Sequence, residues 1–365
     1  MTILVSGMLA GVPRQGGASW AVLQYLIGLR RLGHRVVFVE EVDDLERATP
    51  YLRGLIDAFD LSAALTRRGS GETVGLSRQR LLTAADDADL LLNLSGLLTD
   101  EEILNRIPVR AFVDLDPAFT QLWDQAEGLD LGFEHHNRFV TIGLALGSAG
   151  CAVPTCGHPW ITTPQPIVLE HWPEADTPTL GALTTVGNWR AYGSIDHRGI
   201  RYGQKAHSLR PLIDAPRRAG ARFALALGIH PDERSDLDAL RRHGWELIDP
   251  DMAAGTPRRY RHFVRRSWAE FGLAKQGYVA SACGWFSDRS ICYLASGRPV
   301  LAQDTGFSPY LPTGEGLIAF RTSDDIAAGV EALRRDYVGH RRAARAIAEE
   351  TFDSDRVLTR LLACL

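Results

Sequence analysis

The sequence predicts an α/β protein with two domains, each built around a doubly wound parallel sheet. Three observations support this fold class. The chain has 365 residues, which is more than one compact domain usually holds. It begins with a strand, a loop, a helix and a second strand, the order of a right-handed βαβ unit. Further short apolar runs follow, as expected for strands that are buried on both faces.

The first βαβ unit comprises a strand at residues 3–7, a helix at 17–33 and a strand at 35–40. Gly16 and Gly17 precede the helix. They would let the backbone approach a bound ligand, or they serve only the turn. The spacing of the dinucleotide-binding glycine motif is absent.

Three apolar runs, 89–94, 109–113 and 138–143, predict more strands of the first sheet, and a Leu-rich helix is predicted at 52–65. Ligands of open α/β sheets bind beyond the carboxyl ends of the strands. Asp114 and Asp116 follow one of these runs, and strand alternation predicts that both side chains face a cleft. Asp116 could instead cap the next helix.

Residues 150–178 are rich in proline, which predicts a linker or a loop along a cleft. Trp160 and Trp172 lie within it. They could form a wall on which a sugar stacks, or they could pack the linker against a domain. After the linker, strands are predicted at 183–187 and 222–228, and an amphipathic helix at 258–271.

A short helix is predicted at 287–296, with Ser287 and Asp288 at its start and Gly297 just after its end. An apolar strand follows and ends at Asp304, Thr305 and Gly306. The unpaired N–H groups and the positive dipole end of such a helix favour a phosphate. Arg289 would add a forked cation.

Two segments of this region, 284–287 and 294–299, resemble the donor-binding region of GT-B glycosyltransferases, which transfer a sugar from a nucleotide. The second domain resembles that of glycosyltransferase families 1 and 4, and the Ser-Asp-Arg segment is more similar to the spore-maturation-protein-like branch. The sequence also departs from the family. Cys292 occupies the position of the glutamate that usually binds the ribose, and Gly284 that of a second glutamate found in the retaining branch.

The resemblance implies a role for each candidate site residue. Asp114 or Asp116 would be the general base, with His135, His136 and His171 as alternatives. The nucleobase would lie against Asp249 and Pro250. The donor diphosphate would contact Arg190, Lys205, Ser287, Asp288 and Arg289. The cleft loops would be formed by Gly16, Gly17, Gly187, Asn188, Asp304, Thr305 and Gly306. Lys205 is one of only two lysines, although Arg190 and Lys205 could also be surface ion-pair residues.

The implied function is transfer of a sugar from a nucleoside-diphosphate sugar to a hydroxyl or amine acceptor, as in a hexosyltransferase. A nucleotide-sugar epimerase and a nonenzymatic nucleotide-sugar-binding protein are the alternatives. The predicted domains are an acceptor domain at 1–165, a linker at 166–178, a donor domain at 179–340 and C-terminal helices at 341–365 that return to the first domain.

Composition adds several expectations of absence. The net charge of −4 gives no reason to expect a nucleic-acid partner. Cys151, Cys156 and His158 lack the spacing of a zinc site, and Asp114-x-Asp116 alone would be a weak metal site, so we expect no metal and no cofactor besides the donor. Neither a leader peptide nor a transmembrane segment is evident, which predicts a cytoplasmic protein.

Overall fold

The computed structural model describes all 365 residues and contains two separate parallel sheets. The first sheet has eight strands in the order β4-β3-β2-β1-β5-β6-β7-β8, all parallel except β4. The elements of this part of the chain are β1 (Thr2–Ser6), α1 (Gly16–Arg31), β2 (Arg35–Val42), α2 (Leu45–Phe59), β3 (Ala63–Arg67), β4 (Thr73–Gly75), α3 (Arg78–Asp86), β5 (Leu90–Leu94), α4 (Glu101–Leu104), β6 (Val109–Asp114), α5 (Phe119–Gln125), β7 (Arg138–Thr141) and β8 (Trp160–Thr162).

The second sheet has six strands in the order β13-β12-β9-β14-β15-β16, all parallel, and a separate hairpin pairs β10 with β11. Its part of the chain contains β9 (Leu183–Asn188), β10 (Ile195–His197), β11 (Ile200–Tyr202), α6 (Lys205–Leu209), α7 (Ala215–Ala219), β12 (Phe223–Gly228), α8 (Arg234–Arg242), β13 (Trp245–Leu247), α9 (Pro250–Ala254), α10 (Pro257–Arg266), β14 (Ala269–Gly272), α11 (Gln276–Ser281), α12 (Asp288–Ala295), β15 (Val300–Gln303), β16 (Leu317–Phe320), α13 (Ser323–Arg335), α14 (Tyr337–Ile347) and α15 (Ser354–Cys364).

The centre of the first sheet is formed by largely apolar strands. In the first sheet β1 lies between β2 and β5, and Ile3 pairs with both Val36 and Leu90. Every residue of β5 is buried. Because both faces of these strands are covered, the runs are apolar throughout rather than alternating. The predicted class, α/β with two doubly wound parallel sheets, is confirmed.

Two predicted helices end earlier in the structure than the sequence predicted. The helix predicted at 258–271 ends at Arg266, and Phe271 lies in β14, which pairs with β9 and β15. Phe271 has helical spacing from Phe263, so periodicity alone could not separate the two elements. The helix predicted at 52–65 begins earlier, at Leu45, and Asp60 ends it in the left-handed conformation at φ 52°.

The proline-rich segment packs between the two parts of the chain. The Trp172 ring is fully buried and contacts Trp20 on α1 and Tyr260 on α10. Trp160 packs against Phe112 and Phe139 beneath the edge of the first sheet. These contacts favour the packing interpretation of both tryptophans over the sugar-stacking one.

The C-terminal helix α15 packs against α1. A side chain at Gly28 would lie 2.6 Å from Cδ1 of Leu358, and Arg31 forms an ion pair with Asp355. Helix α14, just before it, packs instead on α12 of the second part. The predicted domain limits themselves stay predictions. None of the helices is long and apolar enough to cross a membrane.

Candidate functional site

A cavity of about 640 Å³ opens between the two sheets and is lined by 27 residues from both parts of the chain. The first part contributes the loop after β1, the start of α1 and the loop after β6. The second part contributes the loop after β9, Lys205, α9, Tyr260, Lys275, Tyr278 and the start of α12. Most of these segments follow the carboxyl ends of parallel strands, where ligands of such sheets bind.

Helix α12 brings Arg289 and a helix N-terminus to this cavity. Ser287 caps the helix by accepting from the backbone N–H of Arg289 at 3.2 Å. The Arg289 guanidinium pairs with the buried Glu270 and donates to the carbonyl of Val186. Its Nη2 is buried and has no partner. One arm of the guanidinium is therefore held in place while another is free for an anion.

Lys205 is the second cation of the cavity and has no carboxylate partner, in contrast to Arg289 and Lys275. Burial, together with the neighbouring charges of Arg289 and Lys275, lowers its pKa from 10.5 to about 7. A side chain at Gly187 would place its first carbon 3.7 Å from the Lys205 Nζ, at a φ of 157°. Such a side chain would be in ordinary contact with the lysine, and it is the positive φ that favours glycine here.

Asp116 is held by three donors from the second part of the chain. Its Oδ2 accepts from Lys275 at 2.7 Å and from the hydroxyl of Tyr192 at 2.5 Å, and its Oδ1 accepts from Tyr278. The Lys275 ammonium also lies 4.3 Å from the centre of the Tyr192 ring and 5.0 Å from that of Phe119. These contacts fix both charges across the cleft.

Asp114 does not face the cleft, contrary to the expectation for both aspartates. It is completely buried, and its carboxylate accepts from Thr120, Gln121, Thr141 and the backbone N–H of Asp116. Burial raises the pKa of this carboxyl, while these hydrogen bonds oppose that rise. The strand ends at Asp114, so alternation did not extend to Asp116. Asp114 shapes the loop that presents Asp116.

Arg190 lies outside the cavity wall, although it was predicted to hold the diphosphate. Its side chain is partly exposed and pairs with Glu233. The neighbouring Gly187 and Asn188 do line the cavity. Of the three basic residues predicted to contact the diphosphate, Lys205 and Arg289 therefore line the cavity and Arg190 does not.

The loop formed by Asp304, Thr305 and Gly306 does not line the cavity, which corrects its prediction as a cleft loop. Asp304 accepts from Arg321 and from the backbone of Gly306, while Thr305 donates to the carbonyl of Trp285. This loop therefore supports the Trp285 segment, and that segment forms part of the wall.

Gly16 and Gly17 lie where the two parts of the chain meet. A side chain at Gly16 would lie 2.2 Å from the carbonyl oxygen of Thr256, and one at Gly17 would lie 3.1 Å from the Tyr260 ring. Gly17 lines the cavity and Gly16 does not. Close approach between the parts, rather than to a ligand, requires glycine at position 16.

The predicted nucleobase loop is only partly in the cavity. Pro250 lines it, whereas Asp249 caps α9 and is not part of the wall. Asp251, which follows Pro250, lies in the wall and pairs with Arg14 from the loop after β1. This ion pair closes one side of the cleft.

The three alternative histidines lie elsewhere. Burial lowers the pKa of His136 to about 4, and its ring contacts Asn93 and the carbonyl of Gly132. His171 packs against Trp20, and His135 lies beside Glu134. None of them lines the cavity.

Sequence reasoning missed Lys275, Tyr278 and Tyr192 as partners of Asp116. The scarcity of lysine was a signal for Lys275, because this chain otherwise uses arginine. The tyrosines carried no local signal. All five cysteines are free thiols, and no group of three or more His, Cys, Asp or Glu side chains could hold a metal ion.

No protein-family model matches the chain, and no curated protein matches it by sequence. Solved structures are similar in fold. HepE from Anabaena, in complex with UDP and glucose, is 12% identical with a TM-score of 0.60, and the similarity covers 100% of this chain and 99% of HepE. An alpha-glucosyltransferase in complex with UDP and DNA is 11% identical with a TM-score of 0.62, covering 99% of this chain and 98% of that one.

A third similar structure is a glycosyltransferase from Rickettsia africae, which is 11% identical with a TM-score of 0.55 and covers 99% of this chain and 97% of its own. These similarities span both sheets and the C-terminal helices rather than a single Rossmann-like half. The chain therefore has the two-domain GT-B fold of these glycosyltransferases, as its sequence predicted.

Proposed function

We propose that this protein transfers a sugar from a nucleoside-diphosphate sugar to a hydroxyl or amine acceptor. The observation that carries the proposal is the meeting of Lys205, the free arm of Arg289 and the N-terminus of α12 at one cavity between two Rossmann-like sheets. Fixed cations and helix N–H groups are the features that recognise a diphosphate.

These groups also suit the chemistry. When the acceptor oxygen attacks the anomeric carbon, the bond to the diphosphate breaks and negative charge accumulates on the departing phosphate. Lys205 and Arg289 would stabilise this charge more in the transition state than in the bound donor, which lowers the barrier.

Asp116 is the candidate for the group that receives the acceptor's proton. It is the one carboxylate that the first part of the chain contributes to the cavity wall. Lys275, Tyr192 and Tyr278 would hold it in place, and the acceptor hydroxyl would have to come within hydrogen-bond distance of one of its oxygens.

Similar proteins support the nature of the donor. HepE was crystallised with UDP-glucose and the alpha-glucosyltransferase with UDP. Transfer of a hexose from a uridine diphosphate sugar is therefore the first reaction to test. The DNA bound to the alpha-glucosyltransferase means that the expected lack of a nucleic-acid partner stays a prediction, and DNA belongs among the acceptors tested.

The test has two steps. Thermal unfolding with UDP, GDP and ADP should show a higher midpoint with at least one of them, since a ligand of the folded state stabilises by RT ln(1 + [L]/Kd). The sugar form of that nucleotide is then incubated with acceptor pools, and release of nucleoside diphosphate is measured. Acceptor-dependent release supports transfer. Conversion of the donor without an acceptor would indicate an epimerase, and binding without turnover a nonenzymatic protein; either result would overturn the proposal.

A further inference from the structure

The solvent-facing side of helix α10 carries a dense group of cations. A cavity of about 490 Å³ lies along this side, and it shares no wall residue with the cavity between the two sheets. Its wall contains no hydrophobic residue and consists of Thr256, Arg258, Arg259, Arg261, His262 and Arg265, the α10 basic face. Arg258, Arg261 and Arg265 recur at intervals of three and four residues, so they lie on one side of the helix. The buried Phe263 and Val264 lie on another side.

The arginines of the α10 basic face have no carboxylate partner. Arg259 and Arg261 donate only to backbone carbonyl oxygens, and the side chain of Arg258 has no hydrogen-bond partner. The Nε of Arg265 is buried and is also unpaired. An unpaired buried donor costs free energy, so a ligand that accepts from it would bind favourably here.

This arrangement is unfavourable for the helix itself. Arg258 and Arg259 lie in the first turn, where the helix dipole disfavours cations, and this turn has no acidic residue. Like charges three or four residues apart repel each other. The pKa of Arg261 is lowered from its usual value, first by burial and then by the charges of Arg265 and Arg258. An anion in the cavity would relieve all of these costs.

The composition of the wall favours a compact anion. Arg258 and Arg265 are seven residues apart, or about 10 Å along the helix axis, a distance that a chain of two or three phosphates can span. No exposed large hydrophobic residue lies on α10, whereas a helix that docks on a membrane presents apolar side chains beside its cations. Apart from the imidazole of His262, the wall also has no ring on which a base could stack.

We propose that the α10 basic face binds a small molecule that carries two or more adjacent phosphates, such as an inorganic oligophosphate or a nucleoside triphosphate. Each guanidinium has a planar set of N–H groups that matches two phosphate oxygens. The site lies beyond the proposed sugar transfer and does not depend on it. Helix α10 presents Tyr260 to the cavity between the sheets and the basic face to this second cavity.

The test is calorimetry with tripolyphosphate at constant ionic strength. It uses the wild-type protein and Lys205→Met, in which the cavity between the sheets lacks its unpaired lysine. One molecule should bind per chain of Lys205→Met. Adding Arg258→Gln and Arg261→Gln should raise this Kd about tenfold or more, the effect of losing hydrogen bonds to a charged group. Adding Arg258→Lys and Arg261→Lys instead should raise it less, because the charge stays while the paired N–H groups are lost.

A second series with ATP distinguishes the source of the phosphates. A lower Kd for ATP than for tripolyphosphate would assign the site to a nucleotide, and a higher one to an inorganic oligophosphate. Both results support the proposal if the same arginines are required.

Arg356→Gln with Arg360→Gln is the matched control. These two arginines are exposed, lie four residues apart on α15 and line neither cavity, so their replacement removes the same charge elsewhere. The control should keep the Kd within about twofold. Without ligand, Arg258→Gln with Arg261→Gln should unfold at no lower temperature than its parent, because the change removes repulsion. If it unfolds earlier, the exposed Arg258→Gln alone is used, and it should raise the Kd about threefold or more.

Three results would overturn the proposal, and each would leave the proposed sugar transfer unaffected. The first is that neither tripolyphosphate nor ATP binds to Lys205→Met, which would place any binding by the wild-type protein in the cavity between the sheets. The second is an equal change of Kd in the α10 and α15 variants. The third comes from duplex DNA and phosphatidylglycerol vesicles, tested in parallel: if only these require Arg258 and Arg261, the face binds a macromolecular polyanion instead.

Discussion

Lys205 should make donor binding depend on pH, because burial in the cavity wall brings its pKa close to neutral pH. Its pKa is lowered from 10.5 to about 7, chiefly by burial and further by Arg289 and Lys275. A bound diphosphate would supply the missing counter-charge and raise this pKa again. Binding should therefore take up a proton whenever the free protein has lost it.

The magnitude follows from the fraction of protonated lysine. With a pKa of about 7, the free protein is about half protonated at pH 7 and about 1% protonated at pH 9. If the bound form keeps its proton over this range, the Kd should rise about 50-fold from pH 7 to pH 9, or about 2 kcal/mol. The phosphates contribute little, since their second ionisation lies near pH 6.

Calorimetry with UDP in buffers of different ionisation enthalpy measures the Kd and the number of protons taken up on binding. Close to one proton should be taken up at pH 8. Lys205→Met should bind weakly at every pH, and Lys205→Arg should keep binding but lose the pH dependence, because arginine stays charged. A wild-type Kd that changes less than threefold between pH 7 and pH 9, with no proton uptake, would refute the placement of Lys205 at the phosphate.

The same lysine affects stability with a defined sign. Its pKa in the folded protein lies below the unfolded value of about 10.4, so the unfolded chain binds more protons between these two values. The cost of burying the charged lysine therefore destabilises the folded state in full below about pH 7. This destabilisation decreases as the pH rises toward about 10.4. Lys205→Met should raise the free energy of unfolding at pH 7, and the gain should shrink in alkaline buffer.

Three further substitutions test the rest of the site. Asp116→Asn should lower turnover by about 10²-fold or more with little change in donor affinity, and unchanged turnover would exclude the residue from the reaction. Cys292→Ser should bind donor nearly as well as wild type, and a loss of affinity without a loss of stability would make the thiol a direct contact. Arg190→Ala should change turnover less than threefold, because its partner is Glu233 outside the cavity; a 10²-fold loss would restore it to the diphosphate site.

The sequence by itself determined the elements whose signals are local. Strand β1, helix α1 and the start of α12 at Ser287 followed from apolar runs, helical spacing and capping chemistry, which depend on residues within one or two turns. Chain length and the βαβ order predicted two α/β domains, and the helix start at Ser287 directed attention to Arg289. The cavity position of Lys205 was implied only by the resemblance to GT-B glycosyltransferases.

Tertiary structure decided what depends on partners far along the chain. Helical spacing placed Phe271 in a helix, but pairing with β9 and β15 made it part of a central strand. Asp114 and Asp116 are two residues apart, yet one is enclosed by Thr120, Gln121 and Thr141 and the other bonds to Lys275 across the cleft. Burial and hydrogen bonding between distant segments set these outcomes, and no local pattern records which segments will meet.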